Sequence, residues 1–195
     1  MGLEIEFKAF IDSNRVEEVK KKLESLFVYN GYVKKTDEYF SSLPNGEPLF
    51  RIRIQNDKKG SKILITSKPN KSKESGLEFN IENEFEVPFD QLSNLRNFIT
   101  GLNLYLCRKK YKEGYDFSGF FDSSNLHLEL LNVKYLGWFL EVEIISLNGL
   151  EPKKEDLNVI NNIFRNILDK LDIGFEHIVS TGYYKMLAAA GHGLS

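Results

Sequence analysis

The sequence predicts an α+β protein of about eight mostly antiparallel strands, with three principal helices packed outside them. Two patterns carry this reading. Segments in which charged and apolar residues alternate, the period of a β-strand, recur along the chain. Longer segments with apolar residues at helical spacing interrupt and follow them. A length of 195 residues suits one domain, and a hydrophobic fraction of 42% with 13% aromatics supplies its core.

The first strand is expected over residues 3–10. Glu4, Glu6 and Lys8 project from one face, and Ile5, Phe7 and Ala9 from the other. Asp12, Ser13 and Asn14 are good helix N-caps, so a helix is expected over 15–27 with Val16, Val19, Leu23, Leu26 and Phe27 as its apolar stripe. Asn30-Gly31 breaks it; 34–40 is extended and closes at the turn signal Pro44-Asn45-Gly46. In the strand 49–55, Arg51 and Arg53 alternate with Phe50, Ile52 and Ile54; a turn at Asp57-Lys58-Lys59-Gly60 leads into the strand 62–68. The polar, aperiodic stretch 69–76 is expected to be a flexible loop. Alternation resumes over 77–87 with Glu82, Glu84 and Glu86, and Pro88-Phe89-Asp90 opens a helix over 91–100, ended by Gly101. Strands follow at 105–111, 126–131 and 137–145. They carry Arg108, Lys110 and Lys112, then His127 and Glu129, then Glu141 and Glu143. Beyond Pro152 a long amphipathic helix presents Leu157, Ile160, Ile163, Phe164, Ile167, Leu168 and Leu171 as a packing stripe. Residues 1–187 read as a single domain and 188–195 as a disordered or appended tail.

Composition excludes several classes. A net charge of -2 offers no bulk electrostatic case for nucleic acid or a membrane surface, so any phosphate binding must come from locally concentrated bases. The single cysteine, Cys107, excludes an internal disulfide and a cysteine-based zinc site. Acidic Glu4 and Glu6 stand where a signal peptide carries basic residues, and no apolar run approaches about 18 residues. A cytoplasmic location is expected.

The charged strand faces admit two architectures. A sheet can leave its polar face to water, or close into a barrel with that face inside. Uncompensated burial would cost several kcal/mol per ion, so a charged lumen needs hydration, ligand and metal. The paired acids Glu4/Glu6 and Glu141/Glu143, with Glu129 if its strand is adjacent, offer hard oxygen donors that suit Mg²⁺ or Mn²⁺. Lys8, Arg51, Arg53, Lys68, Arg108 and Lys110 suit a polyanion, arginine adding bidentate recognition of phosphate oxygens. Together they match a chain of phosphates with a divalent metal better than a single phosphate. The sequence has no Gly-rich phosphate loop, no HExxH and no Ser/His/Asp set, and His127 and His177 read as structural.

Glu4-x-Glu6-x-Lys8 resembles the ExExK signature of the CYTH superfamily, the triphosphate tunnel metalloenzymes. Arg51-x-Arg53, Lys68, Glu84-x-Glu86, Arg108-x-Lys110 and Glu141-x-Glu143 follow in that family's order, so the resemblance runs from Leu3 to about Leu187. It implies an eight-stranded antiparallel β-tunnel binding a triphosphate with Mg²⁺ or Mn²⁺. By position, Glu4, Glu6, Glu129, Glu141 and Glu143 would be metal-side acids, and Lys8, Arg51, Arg53, Lys68, Arg108 and Lys110 would grip phosphate, with Glu4, Glu6 and Lys8 as the catalytic set. His127-Leu-Glu129, the stretch 136–143 and Asp37-Glu38-Tyr39-Phe40 look most like the class IV adenylyl cyclase branch, and Tyr183 lies in an ending similar to that branch's SYxxLL. Glu129 stands where the branch usually has Asp, Glu82 where many members carry Arg, and Lys110 where they often carry Arg. The implied activity is conversion of ATP to cyclic AMP and pyrophosphate. The alternatives are hydrolysis of inorganic triphosphate, thiamine triphosphate or a nucleotide, and a non-catalytic polyphosphate- or nucleotide-binding module. A homodimer is compatible with the resemblance.

Overall fold

Period-two alternation builds the walls of a barrel. The computed structural model describes the backbone of residues 2–44, 46–74, 77–122, 124–146 and 154–192, and the side chains of 5–44, 46–67, 82–122, 124–144 and 157–192. The strands are β1 (Gly2–Ile11), β2 (Val28–Ser41), β3 (Phe50–Asp57), β4 (Gly60–Glu74), β5 (Leu77–Val87), β6 (Tyr105–Phe121), β7 (Ser124–Val133) and β8 (Gly137–Ser146). They pair antiparallel in the order β1-β5-β4-β3-β2-β6-β7-β8, and β8 pairs back onto β1 to close the ring. The barrel with its charged face inside is therefore the architecture adopted. Helices α1 (Val16–Leu26), α2 (Leu92–Gly101) and α3 (Lys154–Lys170) pack on the outer face of the sheet, whereas α4 (Tyr183–Ala189) packs through Tyr183 on Val133 and Phe139, on the same strand faces as Glu129 and Glu141.

The hydrophobic core is on the outside of the barrel. Ile5, Phe7 and Ala9 of β1, Leu126, Leu128 and Leu130 of β7, and Leu140 and Val142 of β8 are buried against Val16, Val19 and Leu23 of α1 and the stripe of α3 from Ile160 to Leu171. A smaller cluster of Phe40, Ile52 and Ile63 packs on Ile99 of α2. Each fully buried Leu, Ile or Phe stabilises the fold by about 1.5–3 kcal/mol, which offsets the cost of a charged interior. Among the described residues, no helix is long and apolar enough to cross a membrane.

Four elements depart from the sequence expectation. The loop expected over 69–76 is mostly strand, because β4 runs to Glu74 and pairs with β5, shifting register between Ser67 and Asn70. Pro69, which has no N–H to give a ladder, falls within that shift. Asn30-Gly31 does not end a segment but forms a bulge inside β2, with Gly31 at φ 133°. β6 continues well past Tyr111. A Cβ at Gly114 would collide with the Leu130 carbonyl, so glycine is what lets β6 approach β7 there. Finally, α4 is a fourth helix. Ala188 and Ala189, assigned to the tail, belong to it, and Tyr183 and Leu187 are its buried residues. Residues 193–195 lie outside the described ones.

Candidate functional site

Register decides which charges meet. Inward positions of neighbouring strands face one another as Glu6–Glu143 and Lys8–Glu141 across β1 and β8, and as His127–Glu143 and Glu129–Glu141 across β7 and β8. Asp116 faces Glu129 across β6 and β7, while Lys112 faces Lys35 and Lys110 faces Asp37 across β6 and β2. Asp37 faces Arg53, and Arg51 faces Thr66. The result is a cavity of 1230 Å³ whose wall includes Glu6, Lys8, Lys35, Arg51, Arg53, Lys110, Lys112, Glu129, Glu141 and Glu143.

The basic side of this lumen is built on one carboxylate. Asp37 is fully buried behind the wall and accepts two hydrogen bonds from Arg53, Nε to Oδ1 at 2.7 Å and Nη2 to Oδ2 at 3.0 Å. Lys110 Nζ lies 2.9 Å from Oδ2, and Arg51 Nη1 3.9 Å from it. Burial opposes ionisation of Asp37, yet Arg53, Lys110 and Arg51 together hold its carboxyl well below the usual range. Arg51 also stands 3.9 Å from Glu82 and from Glu84, and its buried Nε has no hydrogen-bond partner. Thr66 donates to Glu84 at 2.7 Å.

The acidic side is neutralised from within. Lys35 pairs with Glu129 Oε1, and Lys112 lies 2.8 Å from Glu141 and 3.7 Å from Glu129. Burial pushes the Lys35, Lys110 and Lys112 ammonium groups below their ordinary range, with the neighbouring carboxylates opposing it. Burial would raise the Glu129 and Glu141 carboxyls, but the surrounding cations lower both. Lys8 lies 3.5 Å from Glu6. Tyr183 of α4 reaches this side of the lumen, and the ammonium groups of Lys8, Lys110 and Lys112 stand 5.7, 5.1 and 5.9 Å from its ring centroid.

His127, read from sequence as structural, lines the cavity. Its Nε2 is 2.9 Å from Asp116 Oδ2 and its Nδ1 3.4 Å from Glu143 Oε2. Burial lowers its basicity, but the two carboxylates outweigh burial and raise its pKa to about 10. An unfolded imidazole titrates near 6.5, so the folded state binds this proton more tightly. We expect the contribution of His127 to stability to be complete below pH ~6.5 and to be lost as pH rises through about 10. Comparing urea unfolding of the chelator-treated protein and its His127→Gln variant across that range checks this; a difference that grows with rising pH would refute it.

Of the residues singled out from sequence, Glu6, Lys8, Arg51, Arg53, Lys110, Glu129, Glu141 and Glu143 share the one lumen. The side chains of Glu4 and Lys68 lie outside the described residues. Arg108 departs from expectation. It is buried but does not line the cavity; its Nη1 donates to the His192 carbonyl and its guanidinium stands 5.0 Å from the Tyr184 ring. Sequence reasoning passed over Lys35, Asp37 and Asp116 as site residues. Asp37 lay in a segment without clean alternation, and Asp116 lay beyond the apparent end of its strand.

Glu6 and Glu143 face one another across β1 and β8, and Glu141, opposite Lys8, lines the same cavity; their carboxylates are hard oxygen donors of the kind that suit a divalent cation. An eight-stranded antiparallel barrel with charge inside is a tunnel-like fold of the CYTH type. No family model matches the sequence, and no curated protein sequence does. Solved structures share the fold. PH1819 from Pyrococcus horikoshii matches with a TM-score of 0.75 and 20% identity over 96% of this chain and 99% of that one. A candidate adenylate cyclase from Vibrio parahaemolyticus matches with a TM-score of 0.69 and 12% identity over 96% and 98%. The candidate adenylyl cyclase HpAC1 from Hippeastrum, described as having a dominant triphosphatase activity, matches with 0.64 and 13% identity over 100% and 98%. At these identities the likeness is one of fold.

Proposed function

We propose that this chain is a divalent-metal-dependent triphosphatase that takes a small triphosphate, such as inorganic triphosphate, thiamine triphosphate or a nucleotide, into the lumen. The observation that carries the reading is the arrangement of Arg51, Arg53 and Lys110 around Asp37 on one wall, opposite Glu6, Glu141 and Glu143. Arg51 and Arg53 present planar donors that match phosphate oxygens, and Lys8 and Lys110 add point charge. These groups bear on the charge that develops on the transferring phosphoryl group. Mg²⁺ or Mn²⁺ on the acidic wall would neutralise phosphate charge and supply an activated water. Glu6, Glu141 and Glu143 would hold it, with Glu4 assigned the same role by the sequence resemblance.

Hydrolysis requires only these groups. Cyclisation of ATP requires ribose and base contacts as well. The second reading, an adenylyl cyclase, is favoured by the likeness of His127-Leu-Glu129 and of residues 136–143 to the cyclase branch. Incubating the protein separately with ATP and inorganic triphosphate, with Mg²⁺ or Mn²⁺, and resolving products by ³¹P NMR decides between them. Orthophosphate without cyclic AMP is the expected result. Cyclic AMP with pyrophosphate would establish the cyclase, and no turnover with either metal would leave a binding module.

A further inference from the structure

We propose that Asp116, His127 and Glu129 form a mixed nitrogen–oxygen metal site in the lumen, selective for a divalent first-row transition cation over Mg²⁺. One ligand atom from each lies within 4.8 Å of the others, and all three side chains line the cavity. Two donors bound to one such cation at about 2.0–2.2 Å stand no more than about 4.4 Å apart, so small rotations bring the three into one coordination sphere.

The surroundings are those of oriented ligands. Asn30 Nδ2 donates to Asp116 Oδ1 at 2.6 Å, leaving Oδ2 turned to His127. Glu143 lies 3.4 Å from His127 Nδ1 while Nε2 faces Asp116. A metal-bound histidine characteristically gives its second ring nitrogen to a carboxylate in this way. Glu129 offers Oε2, which is 3.7 Å from Lys112, whereas Oε1 is taken by Lys35. On binding, the ion takes the place of the proton that His127 otherwise holds. An imidazole donor suits transition cations, whereas Mg²⁺ takes oxygen ligands and keeps its waters.

The inference deepens the reading of the lumen as a metal-dependent site, but its test omits triphosphate, so failure of one is distinguishable from failure of the other. The full chain is titrated with Mn²⁺ alone, bound ion is followed by EPR, and ¹⁴N couplings are sought by electron spin-echo envelope modulation. We expect ¹⁴N modulation in the native protein, its loss in His127→Gln, and Mn²⁺ affinity at least about tenfold weaker in that variant, with Mg²⁺ affinity little changed. Asp116→Asn should weaken Mn²⁺ similarly while retaining the modulation, which keeps the test open if His127→Gln fails to fold. Mn²⁺ bound without ¹⁴N modulation, modulation that survives His127→Gln, or no Mn²⁺ binding would each overturn the assignment.

Discussion

Replacing Asp37 by Asn should cost the ligand-free protein about 3–5 kcal/mol of stability, the range seen when one partner of a buried ion pair is removed. The substitution keeps the shape of the side chain and removes the charge on which Arg53, Lys110 and Arg51 converge. Because Asp37 is fully buried, solvent does not screen the three cations left facing one another. Urea unfolding of the two proteins measures the difference; a loss below about 1 kcal/mol would show that the cations find other partners in the lumen. The expected defect in binding is secondary, because Asp37 lies behind the wall and acts by placing the groups in front of it.

Arg51→Ala should do the opposite, lowering kcat/KM for triphosphate by about 10²–10³-fold with a smaller effect on folding. Arg51 stands 3.9 Å from Asp37, Glu82 and Glu84, and its buried Nε has no hydrogen-bond partner. Its guanidinium is thus held among acids without the short, paired hydrogen bonds that Arg53 makes, so it keeps more donors for phosphate oxygens than Arg53 does. Arg51→Lys should recover only part of the activity, since charge returns without the planar fork. A change of less than about threefold in Arg51→Ala would remove Arg51 from the phosphate grip.

The parts of the fold that were legible in the sequence share one property. In β1, β3, β7 and β8 charged residues alternate with aliphatic or aromatic ones over the stretch that lines the cavity, so strand and face follow there from period two alone. The strands misjudged in extent were those interrupted by glycine or proline. Gly31 and Pro69 read as ends because these residues usually punctuate chains. The closed sheet instead uses them for a bulge and a register shift, and Gly114, beyond the expected end of its strand at Tyr111, allows a close approach between β6 and β7.

By itself the sequence determined that charged strand faces exist, many of the residues that lie on them, and that helices pack outside. It could not say which charges neutralise which. Lys35 meets Glu129 across 94 residues of chain, and Arg108, for all its likeness to Lys110 two residues on, is turned to the C-terminal segment. His127 became part of the site only because β6 and β8 flank β7 and bring Asp116 and Glu143 to either side of its ring. Such pairings depend on strand order and register around a closed ring, properties of long-range hydrogen bonding. Local alternation fixes the face a side chain takes; only closure of the barrel decides what it faces.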